Sequence, residues 1–487
     1  MGTITEPEIR PVTLVLLLAV GCTAAAGRTI YVDDDGPANF NNIQAAIDDS
    51  NNSDTIVVEE GTYFENINFR GKNIVLTSTD PNNSDIVAST IIDGMGNGSV
   101  VTFENGEDPN CVLSGFTVTG GNAQHGGGIY CAGKERWWDI GNSPTLINLI
   151  IIGNSAEFWG GGMANNALST PTLKNCIFYD NYSREGGGIY NEGSPRLFYC
   201  VFRENNASYR GGGMVNYDAV GGPILNGCVF EGNSALFGGG MDNDETNVTL
   251  INSIFIRNLV RNNGGAIHNT YNNLTVINCI FSGNSAADYG GGMYNHATDL
   301  VLTNCTFSGN SANNLGGGMF NSENREILLL NSIVYANTPT DLSGIEPSQV
   351  HYCDISQEGF AGINGNIPKY PLFADANNND YHLKSQAGRW DANEGRWVMD
   401  DVTSPCIDAG DPMAPIGREP YPNGGIINMG AYGGTAEASK SYFGKPPCEI
   451  IVAGDINGDC EVNFKDFAIM GLHWLDVPEP DYYLLLL

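Results

Sequence analysis

The stretch Gly160-Gly161-Gly162-Met163-Ala164-Asn165 is followed about 26 residues later by Gly186-Gly187-Gly188-Ile189-Tyr190-Asn191. The same order of glycines, an apolar residue and usually an asparagine begins at each of these positions: Gly126, Gly160, Gly186, Gly211, Gly238, Gly264, Gly290 and Gly316. A fixed period of this length indicates a solenoid, in which each repeat packs only against its neighbours. Most residues of the repeat are therefore expected to serve stacking rather than chemistry.

A second mark, Phe-x-x-Asn, lies between the glycine clusters. Its copies are Phe178/Asn181, Phe202/Asn205, Phe230/Asn233, Phe255/Asn258, Phe281/Asn284 and Phe307/Asn310. The intervening segments are short and alternate as strands do, and glycine clusters suit tight turns between them. The sequence therefore predicts an all-β protein, a right-handed parallel β-helix with three short strands in each turn and coils stacked about 4.8 Å apart.

Residues one period apart should lie above one another in such a stack. One predicted column consists of Cys176, Cys200, Cys228, Cys279 and Cys305, with Ser253 and Ser332 filling two positions. We interpret the thiols as core filling rather than as a metal or redox site, because no histidine or acid accompanies them. A second column, predicted as an asparagine ladder, consists of Asn165, Asn191, Asn216, Asn243, Asn269, Asn295 and Asn321.

The charge balance restricts the partners. The chain has 55 acidic against 22 basic residues, a formal net charge of −33. This excess repels nucleic acid and anionic membranes, and it suits calcium binding. An acidic polysaccharide would need a local basic patch or bridging cations.

The N-terminus resembles an export signal. Residues 12–20 form an apolar run too short to span a membrane, and Ala24-Ala25-Ala26 offers a cleavage site. We therefore predict secretion or a cell-surface location, with no transmembrane segment in the mature chain and with lipid anchoring at Cys22 as the alternative.

Composition and periodicity divide the chain into seven parts. A short amphipathic helix over residues 40–47 is expected to cover the N-terminal end of the solenoid. The predicted parts are a signal peptide (1–26), a cap with irregular coils (28–123), the regular repeats (124–337), terminal coils with a further cap (338–443), a linker (444–453), a calcium module (454–476) and a tail (477–487). Of the twelve cysteines, Cys448 and Cys460 are predicted to pair, and a bond between Cys353 and Cys406 stays open.

The repeats resemble those of bacterial right-handed β-helix surface proteins with a pectin-lyase-like fold, including chlamydial polymorphic membrane proteins, most of which are adhesins or passenger domains. The stretch Ser404-Pro405-Cys406-Ile407-Asp408-Ala409-Gly410, with Asn428-Met429-Gly430-Ala431-Tyr432, resembles the choice-of-anchor region that follows β-helices in exported bacterial proteins. These resemblances imply an architecture more than an activity.

The last module resembles half of a dockerin. Oxygen-bearing residues follow the spacing of a loop that wraps around Ca²⁺. The predicted ligands are Asp455, Asn457, Asp459, Glu461 (through its carbonyl), Asn463 and Asp466. Dockerins carry two such loops and a glycine where this chain has Cys460, so a calcium-stabilised anchoring module is expected, with a cohesin-like or envelope protein as its partner.

Candidate catalytic residues stand in the columns on either side of the glycine clusters. Asp242, Asp244, Glu245 and His268 fall close together there, and carboxylates with a histidine can serve acid and base roles. The competing interpretation is that acids are simply plentiful in loops of this chain.

Two sets of residues are candidates for binding a ligand. The interval between Gly126 and Gly160 is longer than the others and contains Lys134, Arg136, Trp137 and Trp138, an insert of the kind that often lies on a binding face. Tyr190 and Tyr294 stand in the column after the glycines and could stack on sugar rings. The sequence thus favours a carbohydrate or cell-surface glycan binder without enzymatic activity, tethered by its calcium module, and leaves a polysaccharide lyase or glycoside hydrolase as the alternative.

Overall fold

The computed structural model describes residues 27–132, 141–219, 221–323 and 325–442. The predicted signal peptide, the insert with its two tryptophans, the Cys448–Cys460 pair and the calcium module lie outside these residues. The described chain winds into a right-handed parallel β-solenoid of about 12 turns, which confirms the predicted fold.

Each regular turn visits four parallel sheets in the order A, B, D, C. Sheet A consists of Thr29–Val32, Thr55–Val58, Val75–Ser78, Val112–Ser114, Thr145–Ile147, Thr172–Lys174, Arg196–Phe198, Ile224–Asn226, Val248–Ile251, Asn273–Ile277, Asp299–Thr303, Ile327–Leu330 and Val350–His351. Sheet B consists of Gly61–Phe64, Thr90–Asp93, Thr117–Thr119, Ile150–Ile152, Ile177–Tyr179, Val201–Arg203, Val229–Glu231, Ile254–Ile256, Ile280–Ser282, Thr306–Ser308, Ile333–Tyr335 and Asp354–Ile355. Sheet D consists of Asn122–His125, Ser155–Trp159, Tyr182–Glu185, Asn206–Arg210, Ser234–Ala235, Leu259–Val260, Ser285–Ala286 and Ser311–Ala312. Sheet C consists of Ile67–Asn68, Val101–Phe103, Ile129–Cys131, Met163–Asn165, Ile189–Asn191, Met214–Tyr217, Met241–Asp244, Ile267–Thr270, Met293–His296, Met319–Asn321 and Leu342–Ser343.

The prediction of three strands in each turn was too low by one, because the glycine cluster splits the third side into sheets D and C. Gly160 has φ +66°, and a Cβ there would lie 2.1 Å from the carbonyl oxygen of Met163. Only glycine fits this bend without strain, and the bend ends one strand and begins the next.

The core of the regular turns is a stack of rings and thiols, as the columns predict. The phenylalanines of the Phe-x-x-Asn marks are fully buried and stacked in parallel, with neighbouring ring centroids 4.3 to 5.1 Å apart. The thiols of the cysteine column are buried and free, and burial raises the pKa of Cys305 to about 12. Free thiols buried among apolar side chains fill space in the core.

Two asparagine ladders run along the stack. The predicted ladder is confirmed from Asn165 to Asn295, with each amide nitrogen donating to the next amide oxygen at 2.8 to 2.9 Å. It stops before Asn321, since the amide nitrogen of Asn295 has no partner among the described residues. The asparagines of the Phe-x-x-Asn marks form a second ladder that also binds backbone groups of the adjacent turns.

A short helix closes the N-terminal end. It spans Ile43–Asp49, begins after the cap Asn42, whose Oδ1 accepts from the backbone of Ala45 at 2.8 Å, and buries Ile43 and Ala46 against the first strands. It begins later than predicted, because Phe40 pairs with Val32 in a β-bridge. A second helix spans Ser84–Ser89, and 3₁₀ turns span Pro347–Gln349 and Ala376–Asn378.

Beyond the last turn, the chain folds back over the outer side of sheet B. This flank segment, residues 373–442, contains two antiparallel hairpins, Phe373–Asp375 with Asp380–Leu383 and Arg389–Asp391 with Arg396–Val398. Asparagine side chains of the A–B turns anchor it: Asn278 donates to the carbonyl of Ala431 at 2.8 Å and Asn304 to that of Asn428 at 2.9 Å.

The buried thiols of Cys353 and Cys406 are both free, so the disulfide that the sequence left open is not formed. Instead, the Cys406 thiol donates to Asp354 Oδ2 at 3.1 Å. In the described part of the chain, no helix has the length and apolar character needed to cross a membrane.

Candidate functional site

The outer side chains at the junction of sheets D and C form one continuous surface, which we call the ring-and-charge face. Parallel register places the columns side by side as the period predicts. The column before the glycines contains His125, Trp159, Glu185, Arg210 and Phe237, and the column after them contains Tyr130, Ala164, Tyr190, Val215, Asp242, His268, Tyr294 and Phe320.

Charged groups interrupt the rings in the middle of this face. The guanidinium of Arg210 joins three carboxylates from two neighbouring turns: Nε lies 3.0 Å from Glu185 Oε2, and Nη1 lies 2.8 Å from Asp244 Oδ2 and 3.8 Å from Asp242 Oδ1. The Arg210 side chain is only 16 % exposed and that of Asp242 only 3 %. Burial alone would lower the pKa of Arg210, but Asp242 and Glu185 raise it above its ordinary value, so the guanidinium stays charged.

His268 completes this group, which we call the Arg210 cluster: Glu185, Arg210, Asp242, Asp244 and His268. Nδ1 of His268 lies 2.9 Å from Asp242 Oδ2, and no hydrogen-bond partner of its Nε2 is found among the described residues. The imidazole lies between Phe237 and Tyr294, with ring centroids at 5.2 and 5.0 Å. A carboxylate that fixes Nδ1 orients the opposite nitrogen, which is the arrangement that a histidine acid or base requires.

Most rings of the face cover one another. Trp159 lies between His125 and Tyr190, at 4.4 and 5.0 Å, and Tyr294 lies between His268 and Phe320, at 5.0 and 5.5 Å. Rings stacked along the solenoid axis turn their edges outward, so Tyr294 offers an edge and a hydroxyl to a ligand rather than a face. Tyr190, a predicted ligand residue, is 2 % exposed, and its hydroxyl binds Glu192 at 3.0 Å, which leaves it little surface for contact.

Two exposed tyrosines flank the cluster. Tyr209, 40 % exposed, precedes Arg210 in its strand, and Tyr217, 37 % exposed, ends the neighbouring strand of sheet C. The Arg210 guanidinium lies 4.8 Å from the centre of the Tyr217 ring and 6.0 Å from that of Tyr209. Apolar ring surface beside a fixed set of hydrogen-bonding groups suits a ligand with both apolar faces and hydroxyls.

The structure brings Asp242, Asp244 and His268 together, as the columns suggested, whereas Glu245 is exposed in the turn that follows. Sequence reasoning missed Glu185 and Arg210 as members of the group. Both stand at successive positions of the column before the glycines. The signal in the sequence was therefore a basic residue, Arg210, with the acid Glu185 in the turn before it and the acid Asp242 in the turn after it. Lys134, Arg136, Trp137 and Trp138 lie outside the described residues.

Away from this face, three neighbouring acids among the described residues form a group that could hold a metal ion. Asp33, Asp34 and Asp35 lie near one another at the N-terminal end, but they are largely solvent-exposed, and clusters of this kind are common without an ion. The predicted ligands Asp455 to Asp466 fall beyond the described part of the chain.

Comparison with known proteins finds a family model that matches part of the chain and solved structures of low identity. A family model described as "Disaggregatase related" matches residues 238–410, less than half of the chain, including Asp242, Asp244 and His268. No curated protein matches the chain.

Similar solved structures include pectate lyase Pel9A, which is 15 % identical over 84 % of this chain and 96 % of that one, with a TM-score of 0.44. A mannuronic acid specific polysaccharide family 6 lyase from human gut microbiota is 13 % identical over 68 % of this chain and 87 % of its own, with a TM-score of 0.36. The tailspike gp49 of Acinetobacter baumannii bacteriophage Fri1, a capsular polysaccharide depolymerase, is 14 % identical over 67 % and 60 %, with a TM-score of 0.34. At such identities the likeness concerns the β-helix fold alone.

Proposed function

We propose that the protein binds a polysaccharide across the ring-and-charge face, centred on the Arg210 cluster. The observation that carries this proposal is the break in the ring columns: two neighbouring turns replace rings by an ordered network of Arg210 and carboxylates, with the exposed Tyr209 and Tyr217 at its sides. Such planar donors and acceptors match pairs of sugar hydroxyls, and the tyrosines offer apolar surface to a sugar ring.

The charge of the Arg210 cluster restricts the class of polysaccharide that it can bind. Three carboxylates face one guanidinium, and His268 adds at most one further positive charge, so the cluster does not attract an anion. The net charge of −33 acts in the same direction. A neutral glycan is therefore the preferred ligand, and an acidic one would need bridging cations.

Co-sedimentation of the full chain with neutral and acidic polysaccharides, with and without calcium, tests binding. The double variant Tyr209→Ala/Tyr217→Ala should lower the affinity about tenfold, since each ring contact contributes on the order of 0.5–1.5 kcal/mol. Tyr199→Ala is the matched control, because Tyr199 is 58 % exposed in a turn between sheets A and B. Equal retention of the glycan by both variants would contradict the proposed site.

Cleavage of the bound glycan is a second candidate function, favoured by the His268–Asp242 pair. With Nδ1 held at 2.9 Å by Asp242, Nε2 of His268 can take or give a proton at a sugar hydroxyl or glycosidic oxygen.

The test of cleavage is the release of new reducing ends and of unsaturated sugars. His268→Gln should abolish release, whereas His296→Gln, which alters a histidine bound to Ser322 and Tyr271 farther along sheet C, should leave it intact. Absence of products from the wild-type protein would leave a binding solenoid, and equal release by both variants would exclude His268 as the acid or base.

The sequence also motivates a proposal about location. Export through residues 1–26 and tethering of the solenoid through the calcium module at 454–476 would place the ring-and-charge face outside the cell, where polysaccharides are met. This proposal rests on the residue patterns and on the dockerin resemblance.

A further inference from the structure

A buried histidine joins two parts of the flank segment, away from the ring-and-charge face. His382 lies in the strand Asp380–Leu383, which belongs to the first hairpin of the segment, and is 3 % exposed. Its Nδ1 lies 2.6 Å from Oδ1 of Asp380, and its Nε2 lies 3.4 Å from Oε2 of Glu437. Glu437 belongs to the stretch of residues 428–439, which we call the flank loop. The imidazole also stacks on Tyr432 of this loop, with ring centroids 3.6 Å apart.

Both ring nitrogens of His382 therefore face a carboxylate. A neutral imidazole carries one N–H and the protonated ring carries two, whereas an ionised carboxylate only accepts hydrogen bonds. Only the protonated ring can thus donate to Asp380 and Glu437 at once. When its proton is lost to water, one ring nitrogen turns a lone pair towards a carboxylate, and the longer contact, to Glu437, is the one that fails.

The groups packed around the ring favour the protonated state. Asp380 lies on the same strand and Glu437 on the flank loop, and Tyr432 is neutral because burial raises the pKa of its hydroxyl. Arg389, on the second hairpin, lies 3.4 Å from the other oxygen of Asp380. Burial by itself would lower the pKa of His382, but its bonds to Asp380 and Glu437 raise it above its ordinary value.

The two parts that His382 joins are attached to the solenoid separately. From the hairpin, the hydroxyl of Tyr381 lies 2.6 Å from Oγ of Ser282. From the flank loop, the carbonyl of Ala431 accepts from the side chain of Asn278 at 2.8 Å. The contact through His382 therefore decides whether the hairpin and the loop cover sheet B as one unit.

We propose that His382 is a pH-sensitive switch, which holds the flank loop on the hairpin while the imidazole is protonated and frees the Glu437 side of the loop when the proton is lost. The end of the loop stays attached, because Oγ of Ser439 donates to the carbonyl of Leu383 at 2.5 Å and this bond involves no titrating group. The opening is therefore local. It is a property of the flank segment and goes beyond the proposed carbohydrate site.

The switch acts on the alkaline side. Because the pKa of His382 is higher in the folded chain than its ordinary value of 6.5, the stabilisation is fully present below that pH and is lost as the pH rises through the raised pKa. Opening of the loop would uncover apolar surface of sheet B, since Ala431 and Tyr432 pack in one cluster with Ile254 and Ile280.

Hydrogen exchange of the full chain, followed by mass spectrometry and corrected for the intrinsic effect of pH on exchange, tests the switch. Residues 430–437 should lose at least tenfold of their protection between about pH 6 and about pH 9. His382→Gln, which keeps a polar side chain but cannot be protonated, should lose this dependence on pH. His351→Gln is the matched control, because it alters a histidine that binds the carbonyl of Ser348 beyond the flank segment, and it should respond as the wild type does.

Glu437→Gln supplies a second variant with little risk to folding, since the Glu437 side chain is 49 % exposed. Exchange of the imidazole C2 hydrogen, read by mass spectrometry, reports the pKa of His382, which should fall in this variant. The loop should then open at a lower pH than in the wild type. The proposal is overturned if protection of residues 430–437 does not depend on pH, if His382→Gln keeps the response of the wild type, or if His382 titrates at or below its ordinary value.

Discussion

Replacing Asn258 with alanine should loosen the solenoid locally and strongly. This fully buried side chain makes four hydrogen bonds in the second ladder. Its Oδ1 accepts from the backbone N–H and the amide of Asn233, both at 3.0 Å. Its Nδ2 donates to the carbonyl of Phe230 and to Oδ1 of Asn284, both at 2.9 Å.

The magnitude follows from the groups left unpaired. Truncation leaves two buried N–H donors of Asn233 without an acceptor, its backbone N–H and one amide hydrogen. The other amide hydrogen still donates to the carbonyl of Phe202. Each buried donor left without an acceptor costs about 1–3 kcal/mol, so the free energy of unfolding of this region should fall by about 4 kcal/mol. The matched control is Asn206→Ala, which removes one exposed bond to Ser234 and should cost about 0.5 kcal/mol or less.

Hydrogen exchange followed by mass spectrometry is the suitable assay, because each turn of a solenoid opens with its neighbours rather than with the whole chain. A loss of about 4 kcal/mol corresponds to roughly a thousandfold faster exchange. The increase should be confined to the turns containing residues 228–233 and 254–258. If Asn258→Ala exchanges no faster there than Asn206→Ala, or if protection is lost evenly along the chain, the ladder does not stabilise the stack in the way described.

Three further outcomes are expected. Arg210→Met should destabilise the protein by about 3 kcal/mol in urea unfolding, because it leaves buried carboxylates without their cation. Arg203→Met removes an exposed ion pair and should cost less than about 1 kcal/mol. Similar losses in the two variants would argue against a buried network around Arg210. Burial raises the pKa of Asp354 from 3.8 to about 6, so between these pH values the folded state binds a proton that the unfolded chain has lost. The free energy of unfolding should therefore fall as the pH rises from about 4 to about 6, and Asp354→Asn should remove about 2–3 kcal/mol of this decrease. An unchanged dependence of stability on pH in Asp354→Asn would contradict the raised pKa. Asp455→Ala with Asp459→Ala should abolish calcium-dependent protection of residues 454–475 from proteolysis, and digestion of the wild type that is insensitive to chelator would contradict the calcium loop.

The local pattern predicted much of the candidate site because a solenoid converts sequence spacing directly into spatial adjacency. His268 follows Asp242 by one period, and the two side chains are in contact. The same rule could have added Glu185 and Arg210, which adjoin in their own column. Their reach across the glycine bend to Asp242 and Asp244 depends on side-chain conformations, which the period does not specify.

The sequence by itself determined the β-helix, its register, its core columns and the place where charge interrupts the rings, because each of these follows from a period that every turn repeats. Only the tertiary structure decided that the rings stack face to face and turn their edges outward, that Arg210 gathers three carboxylates, and that residues 373–442 lie along sheet B. The last of these features depends on contacts between elements that no period relates, such as Asn304 with Asn428. The energy of such contacts comes from the complementary fit of particular side chains, and a repeating pattern does not encode that fit.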